Sequence, residues 1–194
     1  MDKIDELLEI NMTDTSFRMW KALKEKIPDI RYRPSSSTGK YHRRNGSVLS
    51  IYDHTYEMLI CCIRLFSVFN VEIKTRKADI LLFSILLHDA FKYGIDNPFS
   101  SQYTDKAHDR LAADIVNDNK SVFMRIFSEE EVNLLEQCLR YHSGRWSSDA
   151  GTAFNFTGMP AEVFFVHILD MMSTNNLLDI GEQSNGINEH PVST

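Results

Sequence analysis

Through most of this chain the apolar residues recur at close to 3.6-residue spacing, and period-2 alternation bounded by turn residues is hard to find anywhere. Segments patterned this way each bury one apolar stripe, and they do so by packing helix on helix, so the reading is an all-α fold. With 194 residues, 43% of them hydrophobic and 25% charged, the chain is long enough for one substantial core and short for two. A single compact helical domain is the expectation.

A first helix is predicted over roughly residues 2 to 10, and a second from a Thr13/Asp14 cap to about Lys26, ended by Pro28. Residues 28 to 47, rich in Pro, Gly and Ser, read as a basic loop carrying five Lys/Arg against one Asp. Long apolar-faced helices follow at about 48 to 69 and 76 to 92, then a turn region around "GIDNPFSSQY". Thr104 is a candidate cap for a helix to about Asp118, and Ser128 with Glu131 has capping-box spacing for a helix reaching about Tyr141. Residues 143 to 158 read as a loop, Pro160 fits a first helical position, and Gly181 fits just past the last long helix. The chain thus divides into N-terminal helices and basic loop (1–47), a main helical domain (48–181) and a polar tail predicted to be disordered (182–194).

The densest apolar run, Ile80 to Leu87, is interrupted by Ser84 and falls well short of the roughly 20 residues of a membrane span. The opening "MDKIDELLEI" is acidic and amphipathic, unlike a signal peptide, and the net charge of -6 argues against bulk attraction to nucleic acid or an anionic membrane. Cys61, Cys62 and Cys138 lack metal-finger spacing and read as reduced core thiols. A cytoplasmic protein without membrane partners is expected. Whether the amphipathic first helix docks on its own core or on a second subunit of a homo-oligomer is open.

Several of the seven histidines stand where a helix begins or ends beside a loop, which favours a cleft. In "SILLHDAFKYG" His88 and Asp89 are adjacent at the end of an apolar run, with Lys92 one turn beyond the histidine. Neighbours on a helix point about 100° apart, so the two cannot share a face, but a carboxylate with two oxygens can bridge two ions. Imidazole and carboxylate without thiolate suit Mn, Fe, Ni, Co or Zn, and Lys92 is placed to neutralise a phosphate.

These residues resemble the HD-domain metal-dependent phosphohydrolases, whose pattern is a histidine, a His-Asp pair, often two more histidines and a distant aspartate. His54 in "IYDHTYEM", the pair in "LLHDAFK" and Asp170 in "HILDMMSTN" match the basic elements, while His108 in "AHDRLAADIV" and His142 in "RYHSGRW" match the two-metal form. The resemblance covers roughly residues 48 to 178. In detail "SVLSIYDHT", "YTDKAHDRLAADIV", "YHSGRW" and "PAEVFFVHILD" are similar to the HD domain of bacterial 3′-to-5′ exoribonucleases and of phage-encoded HD proteins, and "SSSTGKYH" to the phage-type members. Gly46 is followed by Ser47 where a second glycine is usual, and there is no attached OB-fold domain, so the chemistry carries over better than the substrate.

The resemblance implies two divalent transition-metal ions, with Mn, Fe, Co or Ni ahead of Zn, and Mg a further option. His54, His88, Asp89 and Asp170 would hold the first and Asp89, His108 and His142 the second. Asp89 and Lys92 then form the catalytic pair, Lys92 offsetting charge on the phosphoryl oxygens as a metal-activated hydroxide attacks. His167, one turn before Asp170, is expected to hydrogen-bond a carboxylate rather than a metal, and His190 lies in the tail. Lys40 in "STGKYH" is no phosphate-loop lysine, since Pro34 stands where the motif needs glycine and Tyr41 where it needs Ser/Thr. Lys40, His42, Arg43, Arg145 and Trp146 are instead candidate substrate-binding residues. Arg31, Arg33 and Arg44, with Tyr32 and Tyr41 interleaved, either bind phosphates and stack a base or form a solvated loop.

The leading expectation is an enzyme cleaving a phosphodiester or phosphoanhydride bond in a nucleotide or short nucleic acid. A nucleotide phosphatase or dNTP triphosphohydrolase is the alternative among enzymes, and an HD-type nucleotide-binding or interaction module the alternative outside them. One-metal members acting on nucleoside mono- or triphosphates often lack the extra histidines.

Overall fold

The computed structural model describes residues 2–36, 38, 42–44, 46–152 and 154–174. Among them it is all-α apart from one small hairpin. Its helices are α1 (Lys3–Asn11), α2 (Asp14–Lys24), α3 (Ile51–Phe66), α4 (Arg76–Leu87), α5 (His108–Asp118), α6 (Lys120–Phe123), α7 (Glu129–Tyr141) and α8 (Ala161–Thr174). No helix among the described residues is long and apolar enough to cross a membrane. Lys40, Gly181 and the tail 182–194 lie outside the described residues.

Helix α4 is the centre of the fold. Every residue from Ala78 to Leu87 is buried, so this helix has no solvated stripe and must be enclosed on all sides. Helices α3, α7 and α8 pack around it, and α5 packs on α7. The core they share includes Met58 and Leu59 of α3, Leu82 and Phe83 of α4, Leu135 of α7 and Val166 of α8. Phe83 meets Phe123 and Phe127 edge-on, which seats the short α6 and the turn after it. The cysteines are free, with Cys62 and Cys138 buried and Cys61 partly so.

Asp79 fastens the N-terminal helices to this core. It is fully buried and accepts the Thr13 backbone N–H at 3.0 Å, the Thr13 hydroxyl at 2.7 Å and the Ser16 hydroxyl at 2.7 Å. Thr13 itself caps α2 through the Ser16 N–H, so one carboxylate of α4 satisfies the start of α2. The amphipathic α1 docks on its own chain, burying Ile4 and Leu8 against the same core. Asp79→Ala is expected to lower the unfolding free energy by about 3 kcal/mol, because several buried donors lose their acceptor together. Urea titration followed by circular dichroism reads this directly, and an unchanged midpoint would remove Asp79 from that role.

Several assignments differ from the sequence expectation. Helix α4 stops at Leu87, not near residue 92, because residues 88 to 94 tighten into i→i+3 turns: Ala90 to Leu87, Lys92 to Asp89 and Gly94 to Phe91. Helix α5 starts at His108, after Asp105 rather than Thr104 has taken the Ala107 N–H at 2.8 Å. The region 28–47 is not loop alone: β1 (Arg43–Arg44) pairs antiparallel with β2 (Ser47–Val48), and Pro34 bridges Ser50. The loop after α7 contains a 3-10 turn at Gly144–Trp146. The Ser128/Glu131 capping box is present in full.

Candidate metal centre

His88 and Asp89 stand at the point where the buried helix α4 ends, so both enter the interior from its C-terminal edge. His54 comes from the first turn of α3, Asp170 from α8, His108 from the first turn of α5 and His142 from the C-terminal end of α7. Five elements far apart in sequence thus contribute to one cluster.

The two oxygens of Asp89 part toward different neighbours. Oδ2 lies 3.5 Å from His88 Nε2 and 3.8 Å from His54 Nε2. Oδ1 lies 3.3 Å from His108 Nε2 and 3.9 Å from His142 Nε2. His54 Nε2 also stands 3.0 Å from His88 Nε2 and 3.2 Å from Asp170 Oδ1. Three groups of these atoms have the spacing to hold a metal ion: His54, His88 and Asp89; Asp89, His108 and His142; and His42, His54 and Asp170.

The tautomers are set from behind. His88, His108 and His142 each place Nδ1 against the backbone carbonyl three residues earlier, those of Ile85, Asp105 and Leu139, at 2.7, 2.8 and 2.7 Å. A carbonyl only accepts, so Nδ1 carries the proton and the neutral ring presents a lone pair at Nε2. His54 reaches the same state through a relay that sequence reading missed. Arg44 of β1 forks onto Glu57, Ser173 donates to Glu57 at 3.2 Å, and the Ser173 hydroxyl takes the His54 Nδ1–H at 2.8 Å. Glu57 lies three residues after His54 and so on a neighbouring face of α3, and that spacing is the sequence signal that could have found it.

The result is a set of acceptors facing one another. Two imidazole lone pairs meet at 3.0 Å, and Asp89 Oδ1 is buried with no hydrogen-bond partner among the described residues. Such an arrangement is repulsive unless positive charge sits within it, and an unpaired buried carboxylate oxygen is costly. A divalent cation meets both demands with the donors present, all nitrogen and oxygen. The residues therefore fit a metal.

The electrostatics agree. Burial lowers His88 to about 3, with Asp89 only partly opposing it, and lowers His142 as well, so both stay neutral. Burial alone would raise Asp89, but the Lys92 ammonium outweighs it and holds it well below the carboxylate range. Burial likewise works against Asp170, which is nonetheless held below the carboxylate range by the cluster it faces. The Lys92 ammonium is 2.5 Å from Asp89 Oδ2. The side chains of His108, Asp170 and Lys92 keep 15%, 14% and 10% exposure, which makes them the solvent edge of an otherwise closed cluster. A cavity of about 240 Å³ elsewhere, between Trp20, Ile30, Tyr52 and Leu86, is not lined by any of the cluster's histidines or aspartates.

The basic segment is mostly committed to the fold. Arg31 pairs with Asp2 and Asp29, Arg33 stacks on Tyr93 at 3.5 Å while donating to the carbonyls of Pro98 and Ser101, and Arg43 donates to the Gly46 carbonyl. His42 is not at a rim but buried at 7% exposure against the cluster. Arg145 stacks on Trp146 at 4.4 Å, and Trp146 is 59% exposed, so it does not plug the core. His167 donates from Nδ1 to the His142 carbonyl at 2.7 Å, not to a carboxylate, and its ring fills the space over Gly144, where a Cβ would stand 2.6 Å away.

No family model, curated protein or solved structure matches the chain.

Proposed function

We propose that this protein is an HD-type metal-dependent phosphohydrolase that cleaves a phosphodiester or phosphoanhydride bond in a nucleotide or short nucleic acid. The observation that carries the reading is Asp89, whose two oxygens face two separate histidine sets while one of them has no hydrogen-bond partner among the described residues. His54, His88, Asp89 and Asp170 would hold one divalent ion and Asp89, His108 and His142 the other, with Mn, Fe, Co or Ni ahead of Zn or Mg.

Bound there, the ions supply a hydroxide nucleophile near neutral pH and Lewis-acid charge for the phosphoryl oxygens. The chain's own residues do the rest. Lys92 adds a positive charge at the solvent edge, where Asp89 holds its ammonium in place for the anionic substrate. Burial keeps His88 and His142 neutral, so their Nε2 lone pairs stay available at the pH where the reaction runs. The carbonyls of Ile85, Asp105 and Leu139 fix ring orientation, which avoids reorganisation cost during turnover. Arg145 and Trp146, exposed just beyond His142, offer a cation and an aromatic face for a base or sugar.

The test is hydrolysis of bis-(p-nitrophenyl) phosphate and p-nitrophenyl phosphate by protein stripped of metal and reloaded with Mn²⁺. Turnover of the diester is expected, and it leads next to oligonucleotides and dinucleotides. Turnover of the monoester alone would replace this reading with a nucleotide phosphatase. Silence on both and on dNTPs, with metal bound, would leave a binding module.

A further inference from the structure

The six residues above come from the helical core, yet a seventh residue, His42, reaches the same cluster from outside it. His42 opens the β1–β2 hairpin, where its carbonyl accepts the Leu49 N–H at 2.7 Å. Its ring meets that of His54 edge-on, with centroids 4.3 Å apart, and one ligand atom each of His42, His54 and Asp170 lie within 4.8 Å of one another. Among the described residues the partner its ring finds is the Thr174 hydroxyl, at 3.4 and 3.5 Å from the two nitrogens. That hydroxyl already donates to the Asp170 carbonyl at 2.8 Å, and its contacts with His42 are at the limit of a hydrogen bond. The buried imidazole is therefore poorly satisfied as packing.

The backbone adds a second observation. His42 has φ +55°, a left-handed conformation that a non-glycine residue adopts at a cost. That conformation turns the ring inward instead of leaving it on the surface beside exposed Arg43. Arg44, two residues on, reaches Glu57 and through Ser173 the opposite nitrogen of His54. The hairpin thus reaches the same ligand twice.

From this we infer that His42 is a further ligand of the ion held by His54, His88 and Asp170, delivered by the hairpin. The inference rests on the metal-dependent reading above and deepens it. It makes the two positions unequal: among the described residues five side chains converge on one, whereas Asp89, His108 and His142 face the other. A position with three protein ligands keeps coordination sites for water and substrate, so the second is the one that exchanges them.

The experiment is Co²⁺ binding to the metal-free full chain, followed by equilibrium dialysis and visible absorption, for the unaltered protein, His42→Gly and Asp89→Asn. Glycine adopts the left-handed backbone freely, so His42→Gly removes the imidazole without imposing strain. Its expected result is a fall of about 10- to 100-fold in the affinity of one of two ions, the loss that even an outer-shell partner causes, with a changed absorption spectrum. Free imidazole is expected to restore both. Two ions bound with unchanged affinity and spectrum in His42→Gly, while Asp89→Asn binds neither, would overturn the ligand role of His42 alone. Undiminished binding in Asp89→Asn would overturn the metal centre itself.

Discussion

Asp89→Asn is expected to empty both metal positions at once and to cut phosphodiester hydrolysis by about 10²- to 10⁴-fold. The magnitude follows from the several kcal/mol of transition-state charge stabilisation that bound metal supplies, at a factor of ten for every 1.36 kcal/mol. Asp89 is singled out because it is the residue common to the His54/His88 and His108/His142 sets. Loss of His108 or His142 removes contact with one set and leaves the other intact. The substitution also has a structural consequence independent of metal. Lys92 is nearly buried, and Asp89 holds its ammonium at 2.5 Å, so the metal-free Asn variant is expected to be destabilised by about 3–5 kcal/mol. Combining it with Lys92→Met should recover much of that stability and none of the activity. Urea denaturation in chelator, run beside the diesterase assay, separates the two effects. An Asn variant that keeps full activity would exclude Asp89 as the bridge.

The second large effect is on stability as a function of pH and metal. His42 and His88 are lowered by burial to about 3 in the folded chain, against about 6.5 when unfolded. Between those values the unfolded chain binds protons that the folded chain refuses, so stability rises with pH. Their contribution is complete above about pH 6.5 and is lost as pH falls toward 3, at up to about 1.4 kcal/mol per pH unit for each group. Asp89 and Asp170 act in the same direction but lower, since a carboxylate held below its ordinary value stabilises above that value and ceases to do so as pH falls. Metal adds to this at neutral pH. At a free concentration of 100 times its Kd, one ion contributes about 2.7 kcal/mol and raises Tm by roughly 5–10 °C for a chain of this size. Chelator should reverse the rise, and acid should abolish it, because protons compete for the same nitrogens. Thermal melts at pH 5 and pH 7.5, with Mn²⁺ and with chelator, measure all four corners. A melting temperature that ignores both variables would show that these histidines are neither neutral nor ligands.

Much of the scaffold was legible because helical information is local. The spacing of apolar residues placed most helices, and the Ser128/Glu131 pair placed the start of α7. The ordered histidines and aspartates were legible as a set because their order resembles the HD-domain pattern, and all but Asp170 sit at a helix end. The misreadings fall where local pattern competes with tertiary contact. The basic segment read as either phosphate-binding or a solvated loop, yet Arg33 is spent on Tyr93 and on carbonyls of residues 98 and 101, and Arg44 on Glu57. Helix α4 looked longer than it is, because turns closed by i→i+3 bonds after Leu87 have nearly helical spacing.

From the sequence alone came an all-α chain and six candidate ligands in order. Only the tertiary structure decided that the two oxygens of Asp89 face different histidines, that Ser173 sets the His54 tautomer across 119 residues of chain, and that His42 turns inward from a hairpin. Periodicity reports which face of a helix is buried. It carries no information on which atoms from distant faces meet, because that is set by how the helices pack together.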